Sequence, residues 1–334
     1  MLRVLTFNLQ HGLPGAGAGD GTAATGSLAE ADIRDPATAR AVLTALAEQI
    51  GELAPDVVAL QEVDLGQARS GRLDQAGLLA QLLGWRHHRF AAAWAGPVAG
   101  LRRRPLRPAL TGPADDVLGP ARALLGQGPA GFGNALLSRH PIGGCRVLRL
   151  GRGPASCVRR GGNPIDPRSY RVFTATARNL LAVRIELPEA TLPGATGISL
   201  GVTHLATRVD TAARQLAAAW AGLASLPGPH LLAGDLNLPA ERIAALGMAR
   251  MLGDGPTFPV ARPSKRIDHF LTDPWPTDVD GVPLGIGVAA DPEPTFTVLD
   301  GRGRAPLLHA VDSGTRSFIV SDHAGTWVDL EPVV

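Results

Sequence analysis

An α/β fold is what the sequence predicts, and three observations carry that expectation. Short apolar runs bounded by polar residues recur along the chain, as strands of a buried sheet do. Between them lie longer stretches with apolar residues three and four apart, the spacing of a helix with one buried face. Gly- and Pro-rich segments separate the two kinds of element. No internal repeat and no clean linker divides the 334 residues, so a single domain over 1–334 is expected.

Taken in order, residues 2–7 read as a strand ending at Asn8. Residues 12–29 are rich in Gly and Ala without periodicity and read as a loop or flap. Over 37–53, Ala41-Val42, Ala45-Leu46 and Gln49-Ile50 recur at helical spacing, with Asp35-Pro36 as the start signal and Pro55 as the stop. Residues 56–63 are almost wholly apolar up to Gln61-Glu62, as a strand covered on both faces would be. A second helix is expected over 74–83, closed by Gly84, and a strand over 86–90. Residues 91–131 read as a long insertion, 132–138 and 143–150 as two strands, and 151–169 as another loop. Long strands are expected at 172–187 and 197–204 about a turn near Pro193-Gly194, then a helix at 210–226 with Asp210 as its N-cap. After the run at 231–239 come a short helix near 240–247, a strand at 266–271, and loop with short strands over 274–317. Strands at 318–320 and 325–330 flank Ser321-Asp322-His323.

Composition bounds the function without choosing it. Hydrophobic residues at 45% against 19% charged are those of a globular protein with room for a sizeable core. A formal charge of +2 is compatible with a phosphorylated substrate but does not point to one. Lys265 is the only lysine, so basic character is arginine character, densest at Leu101-Arg102-Arg103-Arg104-Pro105 inside the first long insertion. Such a run reads either as a solvated face or as a contact for phosphate. Cys145 and Cys157 have neither the number for a disulfide framework nor the spacing of metal ligands. The chain given has no signal-peptide pattern and no apolar run of membrane-spanning length, so a cytoplasmic location is expected.

The informative pattern is where polar residues interrupt apolar runs. Asn8, Glu62, His204, Asp235 with Asn237, Asp268 with His269, and Asp322 with His323 each fall at or near the end of one. Strand ends gathered at one rim of a sheet make a site on rigid scaffolding. Leu231-Leu232-Ala233-Gly234-Asp235-Leu236-Asn237-Leu238-Pro239 is the most suggestive of these runs. Alternation would send Asp235 and Asn237 to one face at a strand's end, although Gly, Asp, Asn and Pro are equally the residues of a turn. Carboxylates, amides and imidazoles, without a serine or cysteine in a nucleophile elbow, suit an oxygen-liganded cation and an activated water.

Seven fragments in order then resemble the endonuclease/exonuclease/phosphatase (DNase I-like) superfamily. They are Thr6-Phe7-Asn8, Leu60-Gln61-Glu62, Gly133 to Ser138, Thr203-His204-Leu205, Gly234 to Asn237, Arg266 to His269 and Ser321-Asp322-His323. The resemblance implies a four-layer α/β sandwich, two mixed sheets face to face with helices outside. The stretches near 12–29, 91–131, 151–169 and 274–317 would then be loop insertions. It implies a hydrolase of phosphoester bonds using Mg²⁺, with Mn²⁺ as the alternative. Glu62 would be the principal metal ligand, with Asn8 beside it and Asp322 adding a contact. Asp235 would activate the attacking water and Asn237 position it. Asp268 would orient His323; Asn8, Asn134, His204 and His323 would hold the phosphate, and His204 could instead assist the leaving group. A phosphodiester, in nucleic acid or a phospholipid head group, is expected ahead of a phosphomonoester; a non-catalytic phosphate-binding member is the further alternative. No stable protein partner is readable. Gln10 stands where abasic-site nucleases of this superfamily often carry a second acidic ligand, and aromatics at 4% offer little for base stacking.

Overall fold

Two six-stranded mixed sheets lie face to face, each built on the same plan. They are seen in a computed structural model that describes all residues except 16–27, 29–30, 99, 111, 115–116, 160, 162–165, 167–168, 174, 276–296, 300–303 and 334. The first sheet contains β1 (Leu2–Asn8), β2 (Val57–Leu65), β3 (His87–Ala95) and β4 (Gly131–Ser138). The second contains β5 (Ile142–Gly151), β8 (Arg178–Glu186), β9 (Gly197–His204), β10 (His230–Asp235), β11 (Arg250–Leu252) and β12 (Asp268–Thr272). Two ribbons stand apart: β6 (Ser156–Arg159) with β7 (Tyr170–Phe173), and β13 (Thr297–Leu299) with β14 (Arg304–Pro306). The last strands, β15 (Leu308–Arg316) and β16 (Gly325–Pro332), return to the first sheet. Strand order is β15-β16-β1-β2-β4-β3 in one sheet and β11-β12-β10-β9-β8-β5 in the other. In both, the middle pair is parallel (β1 with β2, β9 with β10) and the other neighbours are antiparallel.

Five α-helices complete the described fold: α1 (Pro36–Leu53), α2 (Gln75–Leu82), α3 (Pro120–Leu124), α4 (Val209–Ala224) and α5 (Ala240–Ala244). Helix α1 starts where its signals sit, since the Asp35 carboxylate accepts from Thr38 N over 2.8 Å with Pro36 in the first turn. It ends at Ala54, a left-handed residue placed before Pro55. Asp74 caps α2 in the same way, accepting from Gly77 N over 3.0 Å.

Strand parity sorts the apolar side chains into three cores between four layers. Leu5 and Phe7 of β1, Val58 and Leu60 of β2 and Leu137 of β4 pack outward on Val42, Leu46, Ile50 and Leu79 of α1 and α2. Their alternates Leu2, Val4, Val57, Ala59 and Leu136 face Leu181, Val183, Leu200, Val202, Leu231, Ala233 and Phe270 of the second sheet. The outer face of that sheet, through Leu180, Leu232 and Leu271, meets Leu216, Ala219, Trp220 and Leu223 of α4. This is the four-layer sandwich expected, because an apolar run with alternating targets needs a partner on each face.

Several expectations are corrected. The strand expected at 86–90 continues to Ala95, and the insertion begins only after it and holds a helical turn, α3. The run at 172–187 breaks into β7 and β8, and β7 pairs with β6 inside the stretch expected as loop. The two strands expected at 132–138 and 143–150 are present as β4 and β5, each in a different sheet. Asp210 does not cap α4: the helix starts at Val209 after Arg208, and Asp210 lies in its first turn. Within 274–317, β15 is a full nine-residue strand. Phe318, Ile319 and Val320 are buried against α1 and α2 without forming a strand, their apolarity serving a core instead of a ladder. Much of the loops expected at 12–29 and 274–317 lies outside the described residues. Among the described residues, no helix is long and apolar enough to cross a membrane.

Candidate active site

The inter-sheet core turns polar at one end. Along β1 the residues facing the second sheet are Leu2 and Val4, and the same parity ends at Asn8. Parity likewise continues from Leu200 and Val202 to His204 on β9, and from Leu231 and Ala233 to Asp235 on β10. On β12 it links Phe270 to Asp268, on β8 Leu181 to Asn179, and on β4 Leu136 to Asn134. Since β1, β9 and β10 end where β4, β8 and β12 begin, these polar residues meet at one rim.

Glu62 is the exception. Alternation from Val58 and Leu60 would turn it toward the helices. A bulge between Leu60 and Val63, with Glu62 at φ 54°, adds a residue to β2 and restores the helix-side parity only at Val63. The extra residue frees Glu62 to line a small polar pocket with Asn134, Arg178, Asn179 and His204. Gly234 serves a related purpose, at φ 147°: a Cβ there would lie 1.9 Å from Thr203 O, so only glycine lets β10 close on β9 beside Asp235.

Asp235 is the meeting point of the cluster. Its Oδ2 accepts from Asn8 Nδ2 over 3.2 Å and lies 3.3 Å from His204 Nε2 and 3.9 Å from His323 Nε2. Its Oδ1 accepts from Asn237 N over 3.1 Å. His323 Nδ1 pairs with Asp268 Oδ2 at 2.9 Å, and the hydroxyl of Thr257 donates to the same oxygen. The Phe258 ring lies 4.8 Å from the His323 ring. The loop carrying His323 is pinned from both sheets. Asp322 N donates to Gln10 Oε1 (3.1 Å) and Ser321 N to Leu13 O (2.9 Å), while Val260 N donates to Asp322 O (2.7 Å). Gln10, at the position of an absent second acid, is therefore a tether for this loop.

The surroundings set the charges. Burial and the neighbouring Asp268 raise Asp235 to about 7, against the opposing pull of His323, Asn8 and Arg178. Burial works against a charged His323, but its hydrogen bond to Asp268 and the charges of Asp268, Asp235 and Asp322 win and raise it to about 9. Burial, Arg178 and His323 push His204 well below its usual range, so its ring is neutral. Burial also raises Glu62, while Arg178 and Asn8 oppose the rise. Three buried atoms here have no hydrogen-bond partner among the described residues: Arg178 Nε, His204 Nδ1 and Asp268 Oδ1. Unpartnered polar atoms at a cleft are places for a ligand to complete.

Apart from His269, the candidate site residues singled out from the sequence lie at this rim, though not all as expected. Asn237 is not on a strand. It follows the end of β10 at φ 51°, its Nδ2 donating to Leu205 O over 3.1 Å, so it does not share a face with Asp235 by alternation. Asn134 is buried, donates to Asn179 Oδ1 (2.7 Å) and lines the pocket beside it. Asp322 is half exposed, 4.0 Å from His323 Nε2, and its charge is felt by Glu62. His269 points to the opposite face, bound to Leu238 O. Asp268 is kept for His323, and neighbouring Arg266 turns to Leu252 O and Asp254. Sequence reasoning missed Arg178, whose buried guanidinium faces Asp235 and Glu62. Its signal, a charged residue and Asn179 opening the apolar run 180–183, was hidden because the run was joined to 172–176.

From β1 to the His323 loop, residues 5–323 match the profile of the Endonuclease/Exonuclease/phosphatase family. The chain belongs to that family. Members of the endonuclease/exonuclease/phosphatase family are phosphoester hydrolases, and this chain is placed among the hydrolases with them. Solved structures share the fold. An endonuclease/exonuclease/phosphatase from Bacteroides vulgatus matches with a TM-score of 0.54 at 13% identity, covering 99% of this chain and 98% of its own. A mannosyl-6-phosphatase from Bacteroides thetaiotaomicron matches at 0.51 and 13%, covering 99% of each chain. The family member from Beutenbergia cavernae matches at 0.51 and 20%, over 99% of this chain and 71% of that one. The sequence has no significant match among curated proteins.

Proposed function

We propose that this protein is a divalent-metal-dependent phosphodiesterase in which Asp235 activates the attacking water. The observation that carries the reading is Asp235 itself: a buried carboxylate raised to about 7, with Asn8, His204 and His323 gathered on one oxygen. A carboxylate tuned to that range can accept a proton near neutral pH. Asn237, whose backbone N–H holds the other Asp235 oxygen, fixes the direction of the base. His323, kept cationic by Asp268, offers Nε2–H to a phosphoryl oxygen. The unpartnered Nε of Arg178 supplies a further donor on the pocket side, and neutral His204, whose one ring N–H is directed at Asp235, offers Nδ1 there as an acceptor.

Glu62, Asn8 and Asp322 suit a hard cation. Among the described residues the Glu62 carboxylate lies 3.7 Å from the His204 ring and is hydrogen-bonded by Asn8, and Asp322 adds negative charge nearby. Mg²⁺ commonly takes only one or two protein carboxylates and keeps several waters, so a sparse oxygen set is sufficient. When bound, such a cation supplies charge stabilisation to the phosphoryl oxygens. Ligand atoms of Asp235, Asp268 and His323 also lie within 4.8 Å of one another. We assign that trio to proton handling, because an imidazolium whose Nδ1–H is given to Asp268 has no lone pair for a metal.

A diester is preferred over a monoester on charge. Arg178 and His323 face the carboxylates of Glu62, Asp235, Asp268 and Asp322, and a monoester brings nearly twice the negative charge of a diester at neutral pH. The test is hydrolysis of bis-p-nitrophenyl phosphate against p-nitrophenyl phosphate in Mg²⁺ and Mn²⁺. Expected are diester turnover, its loss in EDTA and its return with metal. A folded wild type inert toward both esters in either metal sinks the enzymatic reading, and faster monoester turnover sinks the diester preference.

A further inference from the structure

A lobe over residues 97–127 leaves the first sheet after Ala95, at the end where the polar pocket lies. It is strapped to the body. Arg103 and Ala95 exchange backbone hydrogen bonds (2.8 and 2.9 Å), Phe90 N donates to Pro113 O (2.7 Å), and Val147 N donates to Pro108 O (2.6 Å). Through these bonds the described residues of the lobe bridge the edge strands β3 and β5. The four most exposed large apolar side chains among the described residues all belong to it: Leu101 at 95%, Leu124 at 88%, Leu106 at 79% and Leu125 at 71%. Leu101, Leu118 and Leu125 line a cavity of about 490 Å³ together with Arg102, Arg103 and Arg122. In sequence the lobe holds five arginines against two aspartates, and no aromatic residue.

We propose that this lobe docks on the surface of an anionic phospholipid bilayer and presents a phospholipid head group to Asp235. The inference rests on the phosphodiesterase reading above. Exposed leucines gain by entering acyl chains, and arginines around them gain from anionic head groups while their stems stay apolar. Charge and apolarity thus select one surface that offers both. Nucleic acid rewards the arginines but not the leucines, and its bases require stacking faces. The aromatics at the root of the lobe are already covered, with Trp94 stacked on Phe132, Arg102 over Trp94 and Arg69 over Phe132. Reach is short. Ala93 lines the polar pocket and Ala95 the leucine cavity, two residues or roughly 7 Å apart along β3.

The experiment is vesicle co-sedimentation of the full chain, with vesicles of phosphatidylcholine alone or mixed with phosphatidylserine. Two double variants, Leu101→Ser with Leu125→Ser and Arg104→Ser with Arg107→Ser, are read beside hydrolysis of the soluble diester. Expected is binding of the wild type to the mixed vesicles only, weakened by roughly tenfold or more in each variant, with soluble hydrolysis at the wild-type rate. Wild type that ignores both vesicles while cleaving the soluble diester overturns the docking surface and leaves the phosphodiesterase reading standing. Binding that the leucine variant retains in full, and that duplex DNA displaces, also overturns it, marking a general polyanion patch. Vesicle binding as expected with no hydrolysis of any ester sinks the phosphodiesterase reading and the head-group delivery built on it, and keeps the bilayer contact.

Discussion

Two histidine–aspartate pairs sit at opposite ends of the same two strands. At the end of β10 and start of β12, Asp268 holds His323 Nδ1 at 2.9 Å; at the other end, Asp273 holds His230 Nδ1 at 2.8 Å. The pairs are about five residues apart along β10, roughly 17 Å. Both aspartates are buried, and both imidazoles are raised by their partner against the cost of burial. What separates them is the second ring nitrogen. His230 Nε2 is closed by Leu226 O at 2.8 Å and its ring by the edge of Trp220, whereas His323 Nε2 looks onto Asp235 Oδ2 at 3.9 Å. A histidine–aspartate pair is therefore no mark of catalysis alone. It becomes chemistry only where the far nitrogen is left for something else.

The largest effect should come from removing what the open nitrogen faces. Asp235→Asn keeps the size and loses the base, and a fall on the order of 10³-fold or more in kcat/KM is expected with the melting temperature near that of the wild type. Next comes the open pair. Asp268→Asn should lower kcat on the order of 10²-fold, and the alkaline limb of the pH–rate profile should move to lower pH as His323 loses the charge that raised it.

The wild-type profile sharpens the same contrast at smaller amplitude. Activity should rise through about pH 7 as Asp235 gives up its proton and fall through about pH 9 as His323 gives up its own. Because His323 is raised above its unfolded value near 6.5, its ion pair stabilises the fold fully below that pH and is lost as pH climbs through about 9. A profile with no alkaline limb would contradict a cationic His323.

The smallest effect on turnover belongs to the closed pair. Asp273→Asn leaves a buried cation without its partner, which costs about 3–5 kcal/mol in such settings. A lowered denaturation midpoint is expected, with kcat of the folded enzyme within about twofold of wild type. If kcat instead fell as far as in Asp268→Asn, the distinction between the two ends would fail.

Much of the fold was legible because its signals are local. Asp35-Pro36 and Asp74 announced two helices, and the apolar runs ending at Asn8, His204 and Asp235 announced strands whose last side chains share a face with the core residues before them. Where local pattern and long-range need part company, reading failed. Phe318 to Val320 look like a strand but fill a core, Asp210 looks like a cap but Arg208 holds that place, and the break between β7 and β8 has no strong local mark.

The sequence by itself determined the residue types at the rim and the alternation that aims Asn8, His204, Asp235 and Asp268 inward, because strand parity needs only the neighbours along the chain. Tertiary structure decided the rest. The bulge that turns Glu62 from the helix side toward the cleft depends on how β2 pairs with β4, the left-handed Asn237 on what lies beyond the end of β10, and the burial of Arg178 on both sheets closing over it. It also decided which histidine was left open, since Leu226 and Asp235, far from one another in space, are what the two Nε2 atoms meet.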